Sequence, residues 1–156
     1  MRGSPQVIAA LNAACASELR AQAQYRQDTA VLDNMGLPAL AKVATEYAGA
    51  EMTHLTENLA RITFLEGSPA FQPTPTEYHG DMRSIIAGNI ALELQARNDY
   101  QDLVDLAMEQ RDTVTRALVE DSTRDEEGHL NFWEGELMLL DLVGEQDYVS
   151  AWKAKE

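Results

Sequence analysis

Two glutamates stand at the same distance ahead of a Glu-x-x-His tetrad. Glu18 precedes Glu51-Met52-Thr53-His54, and Glu93 precedes Glu126-Glu127-Gly128-His129. The sequence offset that carries Glu18 onto Glu93 carries the rest of one set onto the other, and Tyr25 onto Tyr100 as well. In Glu-x-x-His the two side chains leave one face of a helix together, so a carboxylate and an imidazole can hold or flank one ion. Buried without ions, four carboxylates repel one another and some must take up protons. Two divalent ions remove that cost, because four glutamates and two neutral imidazoles balance them. Oxygen-rich donors with one imidazole per ion suit iron or manganese better than thiolate-seeking metals. Glu127 is adjacent to Glu126 but lacks the Glu-x-x-His spacing to His129, and it reads as solvent-facing. His79 has no ligand spacing around it and reads as a surface residue.

These six residues need helices to place them, and the apolar pattern supplies four. Ser4-Pro5 reads as a cap and first turn, and Leu11, Ala14, Glu18, Ala21, Tyr25 and Leu32 recur at helical spacing up to about Asn34. Gly36 ends that helix, and Pro38 opens a second, running to about Glu66 with Leu40, Val43, Tyr47, Glu51, His54, Ile62 and Leu65 inward. Residues 68–80 hold three of the five prolines and no helical period, which predicts a long crossover. A third helix is expected from about Asp81 to Glu109, with Ile86, Ile90, Glu93, Ala96, Tyr100, Leu103 and Ala107 inward. Asp112 caps a fourth, with Val119, Glu126, His129, Trp133, Leu137 and Leu140 inward, ended by Gly144. Residues 145–153 predict a short fifth helix. The expectation is an all-α fold in one domain over 1–156. Two helical hairpins and a long crossover make a four-helix bundle over about 4–142.

Composition narrows the partners. A net charge of −14 excludes nucleic acid and anionic membrane surfaces as expected partners, and suits a protein that handles cations. Cys15 is the only cysteine, so neither an intrachain disulfide nor a multi-thiolate metal site is expected. The apolar run from Val7 to Ala16 is interrupted by Asn12 and continues in helical register to Glu18. It reads as helix rather than as a cleaved signal, and the expected location is the cytoplasm.

The chain resembles the bacterioferritins over nearly its whole length. The matching stretches are Met1-Arg2-Gly3 with Val7-Ile8, Gln24-Tyr25, Glu51-Met52-x-His54 and Phe64-Leu65-Glu66-Gly67-x-Pro69. Ala91-Leu92-Glu93-Leu94 and Arg124-Asp125-Glu126-Glu127-Gly128-His129 extend the match into the second half. The resemblance implies a ferritin-like fold and a ferroxidase that oxidises Fe²⁺ with O₂ or H₂O₂ and stores ferric mineral. The cage would be a homo-oligomer of 24 subunits built of dimers. It implies two iron ions per subunit, with Glu51 and Glu126 bridging, Glu18 and Glu93 terminal, His54 and His129 one per iron, and Tyr25 beside them. It further implies haem b at the two-fold dimer interface with Met52 as axial ligand, and a ferredoxin-like reductase as partner.

The chain departs from the family pattern at several positions. Arg26 and Met35 stand where aromatic residues near the haem are common. Asn58 replaces a usual tyrosine and Phe132 a usual tryptophan, with Trp133 next to it. Glu46 and Ala50 fall where some relatives place an inner-surface iron site, and Ala50 cannot bind iron. The ligand set alone also admits a non-storage di-iron or di-manganese oxidase or peroxidase of the rubrerythrin type. A DNA-protecting mini-ferritin and a purely structural bundle with protonated glutamates are further alternatives. One cysteine excludes an appended rubredoxin module. The ligands are complete within one chain and the N-terminal stretch is not basic, both of which disfavour the mini-ferritin.

Overall fold

The computed structural model describes residues 2–155, so the expectations attached to Met1 and Glu156 lie outside the described residues. Four long helices, α1 (Pro5–Asn34), α2 (Pro38–Phe64), α3 (Met82–Glu109) and α4 (Thr113–Val143), are followed by a short α5 (Glu145–Lys153). α1 packs along α2 and α3 along α4 as two hairpins, joined by residues 65–81 running between them. The fold is the expected four-helix bundle with a short fifth helix. No helix among the described residues is long and apolar enough to cross a membrane.

The ends follow from local chemistry. Gly36 takes a φ of 74°, and Leu37 N–H returns to the Leu32 carbonyl, which closes the last turn of α1. Asp81 accepts from Ser84 N–H while the Ser84 hydroxyl faces back, forming a reciprocal cap for α3. Asp112 caps α4 by accepting from Thr115 N–H at 3.0 Å. Ser4 occupies the cap position of α1 but makes no side-chain cap bond; its carbonyl accepts from Ile8 instead. Glu136 on α4 accepts from Tyr148 and Trp152, and so holds α5 against the bundle.

The apolar core is divided in two. One part is built around Tyr25, Leu32, Leu40, Ile86, Trp133 and Leu140, the other around Val7, Leu11, Leu55, Ile62, Leu103 and Val119. On every long helix the glutamate and histidine positions fall between the residues of these two parts. The bundle therefore has a polar layer across its middle, flanked by apolar packing on both sides.

Side chains of α1 hold the crossover down. Gln24 donates to the Glu77 carbonyl and accepts from Glu77 N–H, and Asn12 accepts from Ala70 N–H. His79 departs from expectation, because it is half-buried rather than a surface residue. Its ring lies against α3 at Gly88, where a Cβ would fall 2.1 Å from His79 Cε1, and its Nδ1 stands 3.6 Å from buried Asp28. Only glycine at 88 leaves the imidazole that place.

Candidate metal centre

All six sequence-selected residues meet in the polar layer. Glu18 comes from α1, Glu51 and His54 from α2, Glu93 from α3, and Glu126 and His129 from α4, each buried. His54 Nδ1 lies 3.1 Å from Glu126 Oε1, 3.5 Å from Glu51 Oε2 and 3.8 Å from Glu18 Oε2. His129 Nδ1 lies 3.2 Å from Glu51 Oε1, 3.5 Å from Glu93 Oε2 and 3.7 Å from Glu126 Oε2. Glu51 and Glu126 thus turn one oxygen toward each histidine. Two overlapping four-residue groups result, Glu18–Glu51–His54–Glu126 and Glu51–Glu93–Glu126–His129.

The donor atoms of this layer are left without hydrogen-bond partners. Glu18 Oε2, both oxygens of Glu51, Glu93 Oε2, both oxygens of Glu126 and Nδ1 of each histidine are buried and unbonded. Buried polar atoms in folded proteins are almost always satisfied, and eight unsatisfied atoms converging on one place make a site suited to cations. The donor set, with carboxylate oxygen dominant and one imidazole in each group, suits divalent ions of the iron or manganese type.

Proton positions without ions follow from the same geometry. Burial pushes the carboxyl groups of Glu18 and Glu93 well above the usual carboxylate range. Burial acts the same way on Glu126, but the nearby imidazoles of His129 and His54 outweigh it and hold this carboxylate down at about 2. Burial lowers the histidines, yet the carboxylates around them prevail, so His54 is raised and His129 is raised to about 12. Without metal, protons do part of what cations do with metal.

Two tyrosines tie the layer together. Tyr25 on α1 donates to Glu93 on α3, and Tyr100 on α3 donates to Glu18 on α1. The Trp133 indole donates to the Tyr25 hydroxyl at 2.9 Å, and the Asn58 amide donates to the Tyr100 hydroxyl at 2.9 Å. Asn58 and Trp133 are related by the same sequence offset as the ligands, so the internal repeat is a two-fold relation of the site itself. Sequence reasoning names Tyr25 as a site residue, pairs Tyr100 with it through the repeat and sets Asn58 and Trp133 near the site through the family pattern without giving them a role, and it passes over Asp125. The repeat offset is the signal that points to Tyr100. Asp125, whose carboxylate lies 3.2 Å from His54 Nε2, carries only the signal of adjoining Glu126.

Other selected residues lie outside the layer. Glu127 is exposed and pairs with Arg97 at 3.2 Å. Met52 is 39% exposed on α2 and does not contribute to the cluster.

Fold and cluster together define a ferritin-like helical bundle with paired carboxylate–histidine sites. A model of the ferritin-like domain matches residues 8–143. Bacterioferritin of Rhodobacter capsulatus is 36% identical over 149 residues, covering 95% of this chain and 92% of the relative. Bacterioferritin of Brucella melitensis is 34% identical over the same share of each chain. Bacterioferritin BfrA of Mycobacterium tuberculosis is 32% identical, over 95% of this chain and 94% of its own. The chain belongs to the bacterioferritin family.

Proposed function

We propose that the protein is an iron-storage ferroxidase, with Fe²⁺ as substrate at the paired site and ferric mineral as product. The observation that carries this reading is the convergence of eight unbonded donor atoms on two overlapping ligand groups. Glu51 and Glu126 are assigned as bridging ligands because each turns one oxygen toward each histidine. Glu18 and Glu93 are the terminal carboxylates, and His54 and His129 serve one ion each. Two adjacent ferrous ions supply two electrons to one oxidant, reducing O₂ to H₂O₂ or H₂O₂ to water with two protons. Four carboxylates favour the ferric state that results. Tyr25 and Tyr100 orient the terminal carboxylates through their hydroxyl donors, and the flanking apolar packing limits water in the layer.

A homo-oligomeric cage of 24 subunits, which the family resemblance implies, completes the storage reading. Exposed apolar side chains near both ends of the bundle support assembly: Phe64 and Val114 at one end, Met138 and Leu142 at the other. Met52 is the proposed haem ligand. Its thioether is accessible, and one turn earlier Gly49 has no neighbour within 4 Å of where a Cβ would stand, which leaves room for a flat group between two copies. Arg26 is exposed, and the haem assignment rests on Met52 and the open surface at Gly49. The proposed setting is the cytoplasm, with a ferredoxin-like protein as the reductant of stored iron.

The test begins with metal-free protein loaded with two Fe²⁺ per chain without oxygen, then given O₂ or H₂O₂ and followed by ferric absorption. Fast oxidation is expected, and Glu18→Ala or Glu93→Ala abolishes the fast phase. Light scattering on the same fraction is expected to give the mass of about 24 chains of 17.3 kDa each, and a Soret band reports haem. A monomer or dimer that still oxidises Fe²⁺ rapidly overturns the storage reading and leaves a di-iron oxidase. Slow oxidation unaffected by either substitution overturns the catalytic reading as well.

A further inference from the structure

The two halves of the centre are related by one constant sequence offset, so a residue without its counterpart marks a difference between the two ion positions. Asp125 is such a residue. It stands immediately before Glu126, and its Oδ2 lies 3.2 Å from His54 Nε2, on the opposite side of the imidazole from the cluster. With Nδ1 directed at the carboxylates, the remaining proton of neutral His54 belongs on Nε2, where it is donated to Asp125. A carboxylate in this place fixes the tautomer and the ring orientation, and makes the ligating nitrogen more basic. The matching position before Glu51 is Ala50, which has no acceptor. His129 turns its Nδ1 to the cluster as His54 does, but no carboxylate outside the cluster contacts it among the described residues. Its ring is instead stacked on Tyr47, with centroids 3.9 Å apart and planes at 29°. Stacking restrains the plane of a ring and leaves its tautomer free. Tyr47 itself has Ser122 as its counterpart, so the difference extends to both sides of the histidine pair.

We propose that Asp125 is a positioning residue for His54, and that the missing counterpart at Ala50 makes the two ion positions unequal, the His54 position binding a divalent cation more tightly than the His129 position. The inference rests on the paired metal site proposed above. Loss of a carboxylate behind a ligating histidine typically costs about 10–100-fold in metal affinity. The Asp125 side chain is 62% exposed, and solvent screening places the expectation at the lower end, about tenfold.

Binding of Co²⁺ to the metal-free assembled protein, followed by equilibrium dialysis and visible absorption, measures this without turnover. The wild-type chain is expected to take up two Co²⁺ in two separable steps. Asp125→Ala weakens the first step about tenfold and leaves the second in place, so the steps draw together. Ala50→Asp supplies the missing acceptor and tightens the second step by a similar factor. Both positions lie at or near the surface, and thermal unfolding of the metal-free variants checks that each is folded. Two equal Co²⁺ steps unaffected by Asp125→Ala overturn the inequality and leave the paired site standing. Equal weakening of both steps by Asp125→Ala assigns Asp125 a general structural role and also overturns the proposal. If no Co²⁺ binds, the paired-site reading itself falls.

Discussion

Asn58 gives its amide N–H to the Tyr100 hydroxyl at 2.9 Å, and Tyr100 passes its own proton toward Glu18. The other half builds the same relay from a different side chain, with Trp133 donating to Tyr25 and Tyr25 to Glu93. An N–H donor on each hydroxyl occupies its lone pair and leaves the O–H free to point at a carboxylate. Asn58 and Trp133 have little in common in size or shape, yet each brings one donor to the same place. An asparagine at position 58 therefore still supplies the donor to the Tyr100 hydroxyl.

The relay has a cost that can be measured without iron. Tyr100→Phe leaves the Asn58 amide and a Glu18 oxygen without partners in a buried site, and Tyr25→Phe does the same to Trp133 and Glu93. Each is expected to destabilise the metal-free protein by about 1–3 kcal/mol. Exposed Tyr78 provides the control, since Tyr78→Phe should stay within about 0.5 kcal/mol of wild type. Thermal or denaturant unfolding compares the three. Equal stability of all three variants removes the relay as a stabilising element.

Metal uptake should depend steeply on pH. His54 and His129 are raised by the surrounding carboxylates against the opposing effect of burial, while Glu18 and Glu93 are raised by burial first. Both histidines carry an extra proton in the metal-free centre at neutral pH, burial makes Glu18 and Glu93 readier than ordinary carboxyls to hold one, and each group must give up its proton to become a ligand. Binding of divalent ions should therefore release protons, about two from the histidines and more as far as Glu18 and Glu93 hold theirs, and affinity should rise with pH through the neutral range. Calorimetry in two buffers of different ionisation heat counts the protons. A count near zero shows that the metal-free centre already holds deprotonated ligands and contradicts the assignment.

The helices were legible in the sequence because each buried stripe repeats at helical spacing and each end carries a glycine, proline or aspartate with one local task. The six ligands were legible for a different reason: charged residues on apolar stripes have few explanations, and the repeat doubled them. The relay and the Asp125 contact were not legible, since they join side chains from different helices. Such contacts depend on helix rotation and register, which periodicity along one chain does not specify. His79 shows the opposite failure. A histidine among prolines reads as exposed loop, and the gap at Gly88 that receives it lies in another element. Trp133 reads as core packing, and in the structure it both packs and donates.

Gly88 and His79 form a testable pair. Alanine is better than glycine inside a helix by about 0.8–1 kcal/mol, so Gly88→Ala should stabilise α3 if nothing lay against it. A Cβ there meets His79 at 2.1 Å, and the imidazole must leave its place beside Asp28. Gly88→Ala is expected to destabilise the wild-type chain, and the same change in a His79→Ala background should stabilise it. Chemical denaturation of the four proteins measures the cycle. The same sign in both backgrounds contradicts the docked position of His79.

Acid should unfasten the junction between α2 and α4 at a defined point. Arg61 donates from Nη2 to Asp112 at 2.6 Å and from Nε to Thr115 at 2.7 Å, while Asp112 accepts from both the backbone and the hydroxyl of Thr115. Burial raises the Asp112 carboxyl, but the Thr115 and Arg61 contacts overcome it and hold the group below its ordinary value. The folded chain thus binds this proton less readily than the unfolded chain. The stabilisation is complete above the unfolded aspartate value of about 3.9 and is lost as pH falls through the lower folded value. Asp112→Asn retains a capping oxygen and removes only the charge. At pH 6 it should cost about 1.5–3 kcal/mol, and the difference from wild type should shrink toward pH 3. A difference that stays constant over that range assigns the loss to packing or capping geometry and removes the charge from the account.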